Sequence, residues 1–576
     1  MYQAPVGDYE FLFRHVVDGA RLVAAATGGE ATLDDVVDVL RHAGTFAARV
    51  LDPLNATGDR VGARFEDGAV HTPPGFQDAY RAFTEAGWQS LGLPEPAGGA
   101  GMPLVVSSAT VEFWSAANMA LSIAVGLSGG AVAAIAAAGG EQVRRTYLPP
   151  LVSGRWTGTM NLTEPQAGTD LASIRTTARP LADGSWSVTG QKIFISWGDH
   201  DLTENIVHLV LARTPDAPAG LAGLSLFVVP RHLPGAAGRL GGRNRVHTVS
   251  VEHKLGIRAS PTCVLDYDGA TGFLLGERHQ GLAAMFVMMN AARLGVGIQA
   301  LGVADRAYQR ARDYAGQRVQ GRVLERPAGT AIAEHPDVRR LLLSMGSALT
   351  AMRALATQVS AWLDDTRSHR LAEFFLPVFK GWATETGVAV TSDAIQVHGG
   401  VGYVEETGVA QYYRDIRILP IYEGTNGIQA IDLVTRKLAA NGGASVWALL
   451  DELSAIVKQV EASNDPAFGT TGVKLREALE ALTRTSKWLL ERVASAPNEA
   501  LAGATPYLQQ FGATLGGCML ASEALGAKSD GITDAARYVS LARFFAENIA
   551  VQAGALERTV TESAESVAAA DAVLLG

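Results

Sequence analysis

The sequence predicts a mainly α-helical protein with a central β domain. Three observations lead there. Apolar residues recur at helical spacing from about Thr32 to Tyr147, short β-branched runs then crowd residues 184–269, and helical spacing returns and lasts into the C-terminal tail. A chain of 576 residues exceeds what one core serves. Its expected division is an N-terminal helical domain over 1–158, a β domain over 159–276, a helical bundle over 277–440 and a helical extension over 441–576.

In residues 32–54, "TLDDVVDVLRHAGTFAARVLDPL", Val36, Val37, Leu40, Phe46 and Val50 fall on one helical face, with Thr32 placed to cap it. The β runs are "GSWSVTGQKIFIS", "NIVHLVLAR", "GLSLFVVP", "VHTVSVEHK" and "CVLDYDG", separated by Gly, Pro and Asp. Trp186 and Val188, and again Val207, Leu209 and Leu211, alternate as half-buried strands do, which predicts a compact sandwich or barrel. Long helical patterns follow over 277–318, 337–363 and 373–400. Asn441 to Ala444, "NGGA", marks a break, and two amphipathic patterns follow it. One uses Val446, Leu449, Leu450, Leu453, Ile456, Val457 and Val460, the other Leu475, Leu479, Leu482 and Leu489.

Composition narrows the function. A net charge of −10, and a tail with ten Lys or Arg against sixteen Asp or Glu, argue against a nucleic-acid partner, which needs concentrated positive charge. Cys263 and Cys518 stand far apart without a CxxC pattern and read as buried free thiols of a reducing compartment. The first residues lack a basic stretch followed by an apolar core, so a cytoplasmic protein without a signal is expected. Residues 119–140 carry no charge over a membrane-spanning length, but they are mostly Ala, Gly and Ser. A helix buried inside the protein is the expectation, with no membrane span.

Common catalytic and phosphate-binding motifs are absent: no GxxxxGKS/T, HExxH or GxSxG occurs. "GVGIQALG" (295–302) falls within a helical pattern and reads as helix packing, and "WGDHD" (197–201) as a polar loop rather than a metal site, so no metal is expected. Three longer segments are more informative. "MNLTEPQAGTDLASIR" (160–175) sets hydroxyls and turn N–H groups just before the β runs, a pattern suited to an anionic or carbonyl-rich ligand. "GQKIFISWG" offers Phe194 and Ser196 near a strand end, an aromatic wall beside a hydroxyl donor. "QVHGGVGYVEETGVAQYYRD" (396–415) supplies a glycine turn after a helix, where backbone can approach a phosphate; its His398 reads as structural. Each of these, taken alone, also fits an ordinary loop or strand edge.

Together the segments resemble the acyl-CoA dehydrogenase family of flavoenzymes. "LTEPQAGTDLAS" is similar to that family's first signature, "QVHGGVGYVEETGVAQYYRD" to its second, and "YEGTNGIQ" to the loop that holds its catalytic glutamate. The match spans roughly residues 40–440 in the family's order of helical, β and helical regions. "YQAPVGDYEFLF" at the start, "KIFISWGDHDLTENIVHLVLAR" and the helical tail resemble a bacterial subgroup with a C-terminal extension, 3-methylmercaptopropionyl-CoA dehydrogenases among them.

The resemblance implies an FAD enzyme that converts an acyl-CoA thioester to the trans-2-enoyl-CoA and passes electrons to an electron-transfer flavoprotein. Glu423 would be the α-proton base, its backbone N–H helping to hold the carbonyl oxygen as enolate charge develops. Ile418, Leu419, Pro420, Ile421 and Tyr422 give it apolar neighbours, which strengthen a carboxylate as a base. Some family members place the base directly before the Arg that corresponds to Arg293; that position here is Ala292. FAD contacts would come from Leu162, Thr163, Gly168, Thr169, Phe194, Ile195, Ser196, Thr425 and Asn426, and, toward the FAD of a neighbouring subunit, from Arg318, Gln396, Gly399 and Gly400. Thr169, Asn290, Arg293 and Gly424 would meet the substrate, with the pocket floor in residues 119–140. Cross-subunit binding implies a homodimer.

Departures from the family pattern are Asn161 in place of Gly, Ala or Cys, Phe194 in place of Trp, Gln411 in place of Lys or Arg, and a spacing one residue short after Arg318. An acyl-CoA oxidase that uses oxygen, or a non-enzymatic protein of the same fold that binds flavin or nucleic acid, remain open alternatives, as does the identity of the acyl group.

Overall fold

The computed structural model describes residues 1–235, 239–570 and 573. The chain divides into two compact units. One comprises Met1, 43–107 and 113–295, the other 2–42, 108–112 and 296–576.

In the first unit a small hairpin pairs β1 (Arg64–Glu66) with β2 (Ala69–His71). Its turn residues Asp67 and Gly68 have φ of 52° and 77°, the left-handed pair that a two-residue hairpin loop demands. The main sheet contains β3 (Trp156–Asn161), β4 (Thr177–Pro180), β5 (Trp186–Ser196), β6 (Asn205–Arg213) and β7 (Leu224–Pro230). After the short pair β8 (His232–Pro234) and β9 (Leu240–Arg243) come β10 (Val246–Val251) and β11 (Thr262–Leu275), which rejoin that sheet. Pairings run β11–β5–β4–β6–β7 and back to β11, a closed circuit, with β3 parallel on β6 and β10 antiparallel on β11.

Both faces of β6 are covered. Val207, Leu209 and Leu211 pack with Ala131, Val132 and Ile135 of helix Leu104–Ala138, while Val210 and Ala212 join Val188 and Leu265. The alternation legible in "NIVHLVLAR" therefore sorts residues between two cores rather than between core and solvent. A Cβ at Gly158 of β3 would lie 2.4 Å from Ala131 Cβ, so strand and helix meet at backbone distance. Helix Leu104–Ala138 is long and apolar enough to cross a membrane, as is helix Gly281–Gln317. In the first, 67% of the most apolar window is buried within the protein, as a core helix requires.

Helix Leu33–Phe46 opens as its sequence predicts. Thr32 Oγ1 accepts from Asp35 N at 3.3 Å, and Asp35 Oδ2 accepts from Thr32 N at 2.8 Å, a reciprocal cap.

In the second unit the long helices Pro336–Asp364 and His369–His398 pack with Ala504–Ser529 and Ala535–Asn548 of the tail. The contact is backbone-close: a Cβ on Gly512 would stand 2.2 Å from Trp382 Cγ, so no larger residue fits the seam as built. The N-terminal helix Val6–His15 joins this unit, and Phe11 stacks on Tyr538 with centroids 4.2 Å apart.

At the centre of the unit Arg353, 4% exposed, donates to Glu112 at 2.6 Å, to Asp8 at 3.0 Å and to Asp305 at 3.3 Å. Tyr9 also donates its hydroxyl to Glu112, and Arg537 donates to Asp8 at 3.0 Å. Burial pushes the Asp305 carboxyl up to about 6 against the pull of Arg353. One guanidinium thus ties the N-terminal segment and two further helices through three carboxylates, of which Glu112 and Asp305 are buried. Replacing Arg353 with Met leaves Glu112 buried without its cation. We expect a loss of about 3–5 kcal/mol of stability, read from the denaturant midpoint at neutral pH; a loss below about 1 kcal/mol, the scale of an exposed pair, refutes this role.

Candidate functional site

Each unit carries one group of the residues singled out from sequence. In the first unit, strand β3 ends at Asn161 and delivers Leu162 and Thr163 into a loop that returns to the sheet at β4. Glu164, 3% exposed, organises this loop. Its carboxylate accepts from Arg175 N at 2.7 Å, Thr176 N at 3.0 Å, the Thr176 hydroxyl at 2.5 Å and Gln166 Nε2 at 2.6 Å. Lys192 of β5, fully buried, donates to the same carboxylate and to Leu162 O, each at 2.8 Å.

Burial alone would raise the Glu164 carboxyl; the Lys192 ammonium and these hydrogen bonds overcome it and hold the group at about 2. Burial pulls Lys192 down to about 8 even against the attraction of Glu164. The loop is therefore clamped from beneath, while Gly168 and Thr169 remain exposed on top.

The residue after Lys192 continues the link, since Ile193 N donates to Thr163 O at 2.9 Å. Between Lys192 and Ile195, β5 carries two residues where β11 carries only Val264, a β-bulge. Phe194 occupies that bulge with φ 58°, and its ring is 60% exposed, while Ile195 is buried and Ser196 half-buried. A non-glycine residue in left-handed backbone costs about 1–3 kcal/mol and persists where its surroundings enforce it. Here the enforcement comes from the Lys192 and Ile193 bonds on one side and the β11 ladder on the other.

Asn161 has a structural explanation. It accepts from the Tyr267 hydroxyl at 2.9 Å and donates to Thr159 Oγ1 at 2.8 Å, and Thr159 meets His208 Nδ1 at 2.7 Å. In "WGDHD", Asp199 accepts from Arg231 and Thr248 at 2.8 Å each, and His200 meets Thr157 at 2.8 Å. Burial holds His200 and His208 neutral, at about 3 each. No group of residues placed to hold a metal ion occurs among the described residues.

In the second unit Glu423 and Gly424 form consecutive left-handed residues, φ 56° and 83°. Leu419 and Pro420 beside them are buried, but Ile421 is 51% exposed, so the apolar setting read from sequence holds for only part of that run. Tyr422 donates its hydroxyl to Gln299 Oε1 at 2.6 Å; burial, then the neighbouring Glu423, raises its pKa well above the ordinary value and keeps it protonated. Glu423 itself is half-buried. Thr425 Oγ1 caps helix Asn426–Asp432 by accepting from Ile428 N at 3.3 Å. Asn426 is 5% exposed and turns its side chain to helix His369–His398, donating to Glu385 at 2.8 Å and Thr384 at 3.0 Å. These contacts are those of a loop anchor.

Gln396, Gly399 and Gly400 lie exposed at the end of that helix, where Gly399 takes φ 65°. Arg318 is exposed just past helix Gly281–Gln317. His398 bonds Ala394 O at 2.7 Å and stacks on Tyr314, a packing role. Gln411 is buried, with Nε2 on Asp415 at 3.1 Å, and so offers no surface charge contact. Asn290 and Arg293 are half-buried on helix Gly281–Gln317, the Arg293 guanidinium 6.0 Å from the Phe286 ring centre.

The residues present fit a flavin cofactor. A Cβ at Gly168, Gly399 or Gly400 would meet no atom within 4 Å, so these backbones can be approached closely. Phe194 leaves an open aromatic side chain on β5, two residues before the Ser196 hydroxyl. Sequence reading passed over Lys192, Glu164 and Lys380, which hold the loops; a charged residue inside a strand or an apolar helix was the available signal.

Family models described as acyl-CoA dehydrogenase N-terminal domain, middle domain and C-terminal domain match residues 36–155, 159–270 and 279–438. A fourth, acetyl-CoA dehydrogenase C-terminal like, matches 449–571. The chain is 44% identical to 3-methylmercaptopropionyl-CoA dehydrogenase of Ruegeria pomeroyi, over 98% of this chain and 99% of that one. It is 36% identical to a butyryl-CoA dehydrogenase of Syntrophomonas wolfei, over 75% and 74%. A solved acyl-CoA dehydrogenase from Bacillus anthracis, complexed with FAD, superposes with TM-score 0.74 at 21% identity, covering 92% of this chain and 88% of that one.

The Glu164–Lys192 pair generates a test. Lys192→Met leaves a buried carboxylate unpaired and is expected to cost about 3–5 kcal/mol at neutral pH, read by urea unfolding. In the unaltered protein Glu164 contributes in full above pH 4.5, its ordinary value, and its contribution fades as pH falls toward 2. The variant should therefore lose that part of the acid dependence. An unchanged acid profile in a folded variant counts against the clamp.

Proposed function

Since the chain belongs to the acyl-CoA dehydrogenase family and is an FAD-dependent enzyme of that class, we propose that it oxidises a short acyl-CoA thioester between the α and β carbons, with Glu423 as base. In this family the electrons go on to an electron-transfer flavoprotein. The observation that carries the assignment of Glu423 is its half-buried carboxylate on left-handed backbone, in a loop tied on both sides. Strain of this kind collects where a side chain must be aimed.

FAD, when bound, supplies the acceptor for the β-hydrogen. The chain's part is to hold the thioester, take the α-proton on the Glu423 carboxylate and keep the developing enolate oxygen on N–H donors, including that of Glu423. Leu162, Thr163, Gly168, Thr169, Phe194, Ile195 and Ser196 are the cofactor contacts proposed in the first unit, and Thr425 is that proposed in the second, with Asn426 holding its loop. Arg318, Gln396, Gly399 and Gly400 are proposed to reach the FAD of a second copy in a homodimer. Thr169, Asn290, Arg293 and Gly424 are the proposed substrate contacts.

The end-to-end identity with an enzyme named for 3-methylmercaptopropionyl-CoA supports that thioester, or one of similar length, as substrate.

Glu423→Gln keeps size and loses basicity. Turnover should fall by about 10²–10⁴-fold, the usual worth of a general base, while flavin absorbance is retained. A variant with native kcat would remove Glu423 from this role. In a panel of acyl-CoAs with an artificial electron acceptor, kcat/KM for 3-methylmercaptopropionyl-CoA and butyryl-CoA should exceed that for a long-chain thioester by at least about tenfold, within reach of a pocket that discriminates by size. A maximum at long chains overturns the substrate assignment.

A further inference from the structure

Lys380 lies in the apolar stretch of helix His369–His398 and has no exposed surface. A buried ammonium is expensive unless oxygens surround it. Its Nζ donates to Gly424 O and to Asn426 Oδ1, both at 2.9 Å. Asn426, so oriented, returns its amide to the same helix, at Glu385, Thr384 and Gly381 O. From the other side Gln429, fully buried, donates Nε2 to Glu423 O at 3.2 Å and Gly424 O at 3.3 Å.

The two carbonyls thus held belong to the consecutive left-handed residues Glu423 and Gly424. A trans peptide is planar, with C=O and the next N–H opposed, so fixing the carbonyl direction fixes the peptide plane. Fixing the planes on both sides of the Gly424 Cα, the first of them rooted on the Glu423 Cα, fixes one of the two peptide planes that decide where the Glu423 side chain leaves the backbone. Of these donors Lys380 makes the shorter bond to Gly424 O and is the charged one, and charge-assisted bonds are the stronger kind.

We propose that Lys380 is the positioning residue for the base: through the Gly424 carbonyl it holds the left-handed turn that aims the Glu423 carboxylate at the substrate α-carbon. This rests on the reading of Glu423 as base. Lys380 does not touch the reacting atoms. Its effect is geometric, and misplacement by about 1 Å suffices for about a 10²-fold loss of rate.

The test uses the FAD-loaded enzyme. Lys380→Met keeps the length of the side chain and removes its donors. The expected result is a kcat lower by about 10²-fold with KM within about threefold of native, because a turn that aims the base acts on the chemical step rather than on thioester binding. Exchange of substrate α-protons into D2O, followed by NMR, should fall in parallel. A merely structural role would lower FAD occupancy and melting temperature without this split.

The double variant Glu423→Gln with Lys380→Met should be no slower than Glu423→Gln alone, since Lys380 acts through that carboxylate. Further slowing, or a Lys380→Met enzyme within about threefold of native kcat while Glu423→Gln is inactive, overturns the proposal and leaves the base assignment standing. An active Glu423→Gln enzyme sinks the base assignment itself. If Lys380→Met does not fold, Lys380→Gln, shorter and uncharged, decides: a kcat lower by about tenfold at constant KM supports the clamp, and native kcat overturns it.

Discussion

A lysine ammonium buried away from water must find oxygen partners or lose its charge. In this protein that constraint is put to use at a loop edge. Lys192 holds Leu162 O together with Glu164, and Lys380 holds Gly424 O together with Asn426. In both cases a cation on a regular element reaches into an irregular one and fixes a carbonyl near its edge. A strand or helix is stiff over many residues, whereas a loop has little to hold its peptide planes. The ammonium passes the stiffness of the one to the other.

This explains where the strain sits. Phe194 and Glu423 are two of the few non-glycine residues with positive φ, and each stands within two residues of a clamped group. The bulge at Phe194 is bounded by Lys192, whose side chain points down into the Glu164 network, and by Ile195, which pairs with Cys263. An extra residue between two fixed neighbours has one way to go, and the ring is left open to solvent. Arg353 does comparable work in the second unit, but joins distant segments rather than shaping a loop.

Much of this was legible in the sequence. The β runs and the helix capped by Thr32 form where their residue patterns place them, because those signals are local: β-branching, turn residues and a hydroxyl three residues before a carboxylate. The hairpin at residues 64–71 interrupts the stretch read as helical from about 32 to 147: two strands of three residues are too short for alternation to register. The extension helix Ala504–Ser529 is apolar on most sides, so periodicity could not orient it. The lysines carry only a faint signal, for a different reason. Lys192 follows Gln191 in a strand and Lys380 follows Phe379 in a helix, and either reads as a solvated charge until the fold brings a carboxylate or a carbonyl against it. Ile421 is the reverse case, an apolar residue that a loop leaves half exposed because its neighbours Leu419 and Pro420 take the interior.

The seam between Gly512 and Trp382 bears on how such a chain could be shortened. Trp382 is 4% exposed because the tail helix covers it, and the helix that carries it also carries Lys380 two residues earlier. Ending the protein at the Asn441 break would bare an indole and the phenyl rings of Phe374 and Phe375 together, an apolar patch of the kind that drives aggregation. The last quarter of the chain is thus not a detachable ornament. A gene that lost it would need compensating polar substitutions on helix His369–His398 before its product stayed in solution.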